Sequence, residues 1–251
     1  MKKSIMRSAM LVFVAMMILI PGNLCAQSEE NRIEGRWTLT LSGGLNIAAS
    51  GDVLTGGTGT LFELPTTVNA SSYNDVYGLG SRFRAAVGYG VWEKGEILGI
   101  FSYGQLPAEL NFVWDWTGFP LFAQFDTYSE FGIEGGYRHY FMTDTKFKPY
   151  AAVSGGIKWI QEINFAFLMP GSGFTLTGLN FYESSVVPTI GGDAGIRYDL
   201  NNWLALGGEI GIHYNGAPER GTGLAGTGLE NVNDTGSLWY VPILFNMFIT
   251  F

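Results

Sequence analysis

Hydrophobic and polar residues alternate with a period of two in eight stretches of this chain. From Arg36 to Ala48, Trp37, Leu39, Leu41, Leu45 and Ile47 alternate with Thr38, Thr40, Ser42, Gly44 and Asn46. From Leu79 to Tyr89, Phe83, Ala85, Val87 and Tyr89 alternate with Arg82, Arg84 and small residues. Glu96–Leu106 is the weakest example. Tyr128–Phe141, Lys148–Phe167, Val186–Leu200, Leu204–Tyr214 and Leu238–Phe251 complete the set. Successive side chains of a strand point to opposite faces. Alternation over roughly ten residues therefore predicts strands with one apolar and one polar face, the signature of a transmembrane barrel.

The connections alternate too. Tight turns are expected at Trp92–Gly95, Met142–Phe147 and Asn201–Trp203, and long loops at Gly51–Tyr77, Pro107–Thr127, Leu168–Tyr182 and Asn215–Gly236. The fold expected is an all-β, up-and-down antiparallel transmembrane barrel of eight strands. Ten is the alternative if the first or last loop hides a hairpin. Long loops would face the outside of the cell and short turns the periplasm. Aromatic girdles are expected at both interfaces. Trp37, Tyr89, Trp92, Tyr137, Phe141, Tyr150, Tyr198, Trp203 and Phe251 would lie toward the periplasm. Tyr103, Tyr128, Phe165, Tyr214 and Trp239 would lie toward the outside. A soluble barrel of lipocalin type is the fold alternative, but it would put its polar face outward.

The first residues change the compartment. Lys2, Lys3 and Arg7 precede an apolar run from Ala9 to Ile20, then Pro21, Gly22 and the small Ala26. That order predicts a secretory signal peptide over residues 1–26, leaving 27–251 as one barrel domain. Cys25 is the only cysteine, and Asn23 and Leu24 before it fit a lipidation site poorly. Cleavage after Ala26 removes it, and with it any disulfide. Losing Lys2, Lys3 and Arg7 also takes the net charge from −8 to −11. No basic patch exists for nucleic acid. Charged residues make up only 14% of the chain and aromatics 15%. No apolar stretch after the signal is long enough for a membrane helix, so a closed barrel is the remaining way to span a bilayer.

Two segments carry a family resemblance. Phe131–Phe141 reads FGIEGGYRHYF and is followed, after a turn, by KPYAAVSGGIKW ending at Trp159. This resembles the central hairpin of small outer-membrane barrels of the OmpA/OmpW-like superfamily. The terminal Phe245–Phe251 is similar to the outer-membrane assembly signal, with alternate apolar residues and a final aromatic. The resemblance implies the outer membrane of a Gram-negative-type bacterium. It also implies contact with outer-membrane lipids and reading of Phe251 by the barrel-assembly machinery. The chain lacks the peptidoglycan-binding domain of full-length OmpA, so that activity is not implied.

Strand parity sends a set of charges into the lumen: Arg82, Arg84, Glu96, Glu130, Glu134, Arg138, Lys158, Glu162, Asp193, Arg197 and Glu209. Desolvated charges need partners, and an eight-stranded barrel is just wide enough for side chains to fill. A paired ionic plug is expected, with a narrow ion path as the rival reading. His139 is expected at the lipid interface and His213 inside near the outer rim. Two distant histidines give no metal spacing. No cofactor is implied, and no nucleophile pattern accompanies His213. Gly56–Gly59 and Gly221–Gly228 read as loops with no helix following, unlike a phosphate loop. Asp52, Glu63, Asp75, Glu109, Asp115, Glu219, Glu230 and Asp234 make the loops acidic, opposed by Arg220. The second loop is aromatic: Phe112, Trp114, Trp116, Phe119, Phe122 and Phe125 form a candidate ligand or partner surface. The functional expectation is a non-enzymatic surface barrel with structural or interaction roles in its loops. The alternative is a transporter or porin for small hydrophobic or polar solutes, and behind it an outer-membrane lipid hydrolase.

Overall fold

Eight strands close on themselves in the computed structural model, which describes residues 33–61, 64–116, 119–169, 174–226, 229–234 and 236–251. The expected signal peptide, residues 1–26, lies outside them. The barrel strands are β1 (Trp37–Ser50), β6 (Gly80–Trp92), β7 (Gly95–Leu106), β10 (Tyr128–Tyr140), β11 (Phe147–Ile160), β14 (Ser185–Asp199), β15 (Leu204–Asn215) and β16 (Leu238–Thr250). Neighbours pair antiparallel all the way round, and β1 closes the circle by pairing with both β6 and β16. Closure leaves no barrel strand as an open edge, which the bilayer interior demands of any strand structure.

The two faces divide as the alternation requires. Large apolar side chains stand outward: Phe83 is 58% exposed, Ile133 57% and Ile190 62%. The inward side chains of the same strands are buried, Arg82 and Arg138 at 1%. This inside-out distribution makes the molecule a transmembrane barrel, since a water-soluble one would reverse it. Trp37, Tyr89, Trp92, Phe141, Tyr198 and Trp203 are exposed toward the short-turn end. Trp37 packs on Tyr89 with ring centroids 4.9 Å apart. Trp239 is exposed near the other end and packs on Tyr214 at 5.0 Å. Three expected girdle residues belong elsewhere. Tyr128, Tyr150 and Phe165 are buried. Tyr150 shares the inward parity of Lys148 and Ser154, and a position near a strand end does not override parity.

The long connections are not loops but a second structure. β2 (Asp52–Leu54) pairs with β5 (Ser71–Ser72). β3 (Gly57–Leu61), β4 (Leu64–Val68), β8 (Asn111–Trp116), β9 (Phe119–Phe125), β12 (Ile163–Met169) and β13 (Phe174–Tyr182) form a six-stranded sheet in the order β13-β12-β9-β8-β4-β3. The first loop does hide a hairpin, β3–β4, yet it joins this sheet and the barrel stays at eight. Gly57–Gly59, expected in a loop, is strand.

Short polar breaks separate the two sheets. β11 ends at Ile160 and β12 begins at Ile163; β9 ends at Phe125 and β10 begins at Tyr128. These two breaks are tied together. Asp126 accepts hydrogen bonds at 3.2 Å from both the backbone and the side-chain amide of Asn164, and its own N–H donates to the Asn164 carbonyl at 2.8 Å.

Under this cap lies an apolar core that includes Val53, Leu54, Phe125, Phe165, Phe167, Phe181, Leu224 and Val232. Phe181 meets Phe125 and Phe165 edge-on, each at 5.1 Å. A single helical turn, α1 (Tyr73–Val76), drops Tyr73 and Tyr77 onto Tyr128 at the top of the barrel. The first connection leaves the barrel at Gly51, whose φ of +115° suits glycine and whose missing Cβ would meet the Ser237 carbonyl.

Ile133 sits midway along β10, paired with Phe101 on one side and Ile157 on the other. Ile133→Arg should destabilise the barrel by about 2–4 kcal/mol in lipid vesicles. Urea unfolding of the reconstituted protein reads this directly. A loss near zero would mean that this face does not meet hydrocarbon.

Candidate functional site: the charged lumen and its cap

Six cations and six carboxylates are buried on the inward faces of the barrel strands: Arg82, Arg84, Arg138, Lys148, Lys158 and Arg197 with Glu96, Glu130, Glu134, Asp193, Asp199 and Glu209. Near the cap, Glu130 is the hub. Its Oε1 accepts from Arg82 at 2.9 Å and from Lys158 at 2.8 Å, and its Oε2 from Tyr128 at 3.0 Å and from Asn215. Lys158 also donates to the Tyr240 hydroxyl at 2.5 Å and lies 3.9 Å from Glu134. Glu134 takes Ser102 at 3.1 Å and Ser154 at 2.8 Å.

Deeper in, Arg84 bridges Asp193, at 3.3 Å, and Glu209. His213 holds the other oxygen of Asp193 at 2.8 Å, and its ring stacks on Tyr240 at 5.3 Å. Tyr150 donates to Glu209 at 2.8 Å and accepts from Asn246 at 2.9 Å. Next comes Arg138, 2.9 Å from Glu96, with its guanidinium over the rings of Tyr150 and Phe248 at 4.9 and 5.2 Å. At the short-turn mouth, Asp199 joins Lys148 at 2.8 Å and Arg197 at 2.7 Å.

Burying a charge costs several kcal/mol, and attraction to a partner repays that cost only with good geometry and further hydrogen bonds. Here most carboxylates have both. The rings beneath the cations add contacts favoured between a cation and an aromatic face. The pairs follow one another along the inward faces from the cap to the short-turn mouth.

Neither a family model nor a curated protein matches this sequence. Solved structures do match. Neisserial surface protein A is 11% identical, the match covering 87% of this chain and 98% of that one, with a TM-score of 0.42. Ail, the attachment invasion locus protein of Yersinia pestis, is 10% identical over 87% of this chain and 100% of its own, at 0.43. The outer membrane protein OprG from Pseudomonas aeruginosa is 12% identical over 89% and 99%, at 0.43. This chain is a small eight-stranded β-barrel of the outer-membrane type. Its strand order and inside-out residue distribution carry that statement.

Of the lumen residues expected from parity, Glu162 lies elsewhere. It is exposed in the break after β11, where Asn180 donates to it at 3.3 Å. Parity counted through Lys148–Phe167 as one strand fails because Gln161 and Glu162 interrupt it. The structure adds Lys148 and Asp199, which parity from Lys158 and Arg197 would have found, and the phenols Tyr128, Tyr140, Tyr150 and Tyr240. His213 is buried against an acid and a phenol ring rather than in an open cleft.

The aromatic second loop becomes the hairpin β8–β9. Phe125 is not surface but cap core, 4% exposed, and Phe122 is half-buried. The side chains of Phe112, Trp114, Trp116 and Phe119 lie outside the described residues, as do those of Glu63 and Asp115. Of the acidic loop set, Asp234 pairs with Arg220 at 2.5 Å on the surface, and Asp75 accepts from the Ser72 amide at 3.0 Å. A bond from the Ser72 hydroxyl, and after it that amide bond, hold the Asp75 carboxyl below its usual range.

Two predictions follow from this packing. Glu96→Leu alone leaves Arg138 buried and unpaired and should cost about 3–5 kcal/mol, whereas Glu96→Leu with Arg138→Met should recover most of it. A double-mutant cycle on unfolding free energies distinguishes this from simple additivity. Phe181→Ala opens a cavity worth about 3–5 kcal/mol in the cap alone. Limited proteolysis should then cut the cap segments while the barrel keeps its heat-modifiable gel migration; loss of both together would show one cooperative unit.

Proposed function

We propose that this chain is an integral outer-membrane barrel, non-enzymatic, whose lumen is plugged by its own ion pairs and whose cap carries a structural or interaction role at the cell surface. Residues 1–26 act as the export signal, the short-turn end faces the periplasm, and the cap faces outward. The C-terminal stretch ending at Phe251 addresses the chain to the barrel-assembly machinery, and outer-membrane lipids cover its apolar wall.

The observation that carries the plug is the Glu130 hub, where Arg82, Lys158, Tyr128 and Asn215 converge on one carboxylate from four different strands. Above it, Tyr73 and Tyr77 seal the barrel, and the Tyr73 hydroxyl is held by the Gly236 carbonyl at 2.7 Å. A transport role for small solutes needs a path, and the bonded charges occupy it. With the lumen filled, what the molecule offers a partner is the outer surface of the cap.

Planar-bilayer recording of the refolded protein, beside a Glu130→Gln/Arg138→Gln variant, tests this. The parent should show no steady conductance. Steady channels in the parent whose conductance changes in the variant would turn the inward charges into a permeation path and sink the plug.

A further inference from the structure

The lumen charges are not evenly balanced along the barrel. Arg82 and Lys158 face Glu130 and Glu134, and Arg138 faces Glu96. At the short-turn mouth, a small recess is lined by Arg36, Lys148 and Arg197 with a single acid, Asp199. Both oxygens of that acid are taken. Arg197 Nε binds Oδ1 at 2.7 Å and Lys148 binds Oδ2 at 2.8 Å. Arg36 has no carboxylate partner among the described residues; its guanidinium donates to the Asn202 carbonyl at 3.0 Å. Burial, and next the positive charge of Arg197, hold Arg36 below its usual value against the opposing pull of Asp199.

We propose that this recess is a binding site for a phosphate-class oxyanion, taken up end-on from the aqueous side. The lining side chains carry two positive charges in excess, the charge of a phosphate dianion. The recess has a volume of about 10 Å³, room for one water-sized atom. One anion oxygen therefore enters and the remainder stays in the mouth. Guanidinium groups give phosphate the forked donors it prefers. Thr38 and Thr250 line the same recess. The Thr250 hydroxyl accepts from Arg197 at 2.9 Å, so it keeps a proton to donate. Lys148 and Arg197 are buried at 2% and 6% and bonded to Asp199, so they are pre-positioned rather than swinging in solvent. The same chemistry could reach the mouth as free phosphate or as a phosphorylated headgroup.

Phosphorus NMR linewidths of inorganic phosphate, and separately of glycerol 3-phosphate, titrated with the detergent-solubilised protein test the proposal. Both should broaden saturably, and equimolar chloride should not reverse it. The tighter of the two indicates the source. Arg36 precedes β1 and is only half-buried, so Arg36→Gln should keep the folded, heat-modifiable form and weaken binding by about tenfold. Absence of broadening, reversal by equimolar chloride, or unchanged binding in folded Arg36→Gln would each overturn the site. If Arg36→Gln does not fold, the chloride competition on the parent decides alone.

Discussion

Hydrocarbon offers no hydrogen bonds, and that one constraint shapes the whole molecule. Every backbone N–H and C=O crossing the bilayer needs a protein partner, so the strands must close. Closure then fixes the fate of every side chain. One face of each strand meets lipid and the other meets seven neighbours across a narrow tube. Apolar residues take the first face, and whatever is polar must go to the second. The lumen is thus a polar core by default, and its charges must satisfy one another because bulk water has little room there.

The pairing solves this along the wall, where Arg138 meets Glu96 and Lys148 meets Asp199 on neighbouring strands, and also across the tube. Arg84 on β6 reaches Asp193 on β14 and Glu209 on β15, strands on the far side of the barrel. Lys158 on β11 and Arg82 on β6 meet at Glu130 on β10. Such cross-links hold the barrel's cross-section as an apolar core would, with phenols supplying both volume and hydroxyls. Replacement of ion pairs by apolar residues of similar size is often neutral in energy. The pairs therefore need not be the source of the barrel's stability.

How much of this the sequence discloses depends on where each residue sits. Within the membrane-crossing stretches, period-two alternation is enforced on both faces, so Arg82, Glu130, Arg138 and Asp193 could be assigned to the inside from parity alone. The third strand read weakly because its inward positions Leu98 and Ile100 are apolar; they pack with Ala86 inside the barrel. Beyond the membrane that parity no longer holds. β12 keeps the alternation, but shifted by one position from β11, and the register of the β12–β13 pair shifts at bulges, so the pattern does not show which residues, such as Phe165, Phe167 and Phe181, bury beneath the cap. Glu162 departs from strand parity for the same reason: the two-residue break Gln161–Glu162 resets it. Contacts such as Arg84 with Glu209, 125 residues apart in the chain, depend on the diameter of the closed tube, which no local pattern records.

The cap and the lumen share a wall, and this links their behaviour. Tyr128 and Tyr240 contribute their rings to the apolar cluster that runs through the cap. Their hydroxyls belong to the charged network, one on Glu130 and the other on Lys158. An amphipathic ring serves two media at once. Lifting the cap would expose these rings and loosen the bonds that fix Glu130, while disordering the Glu130 hub would remove the floor on which Tyr73 and Tyr77 rest. The cap is therefore supported from below by the ion pairs. Tyr128 and Tyr240 thus couple the two regions, and a change in either is felt at that phenolic floor.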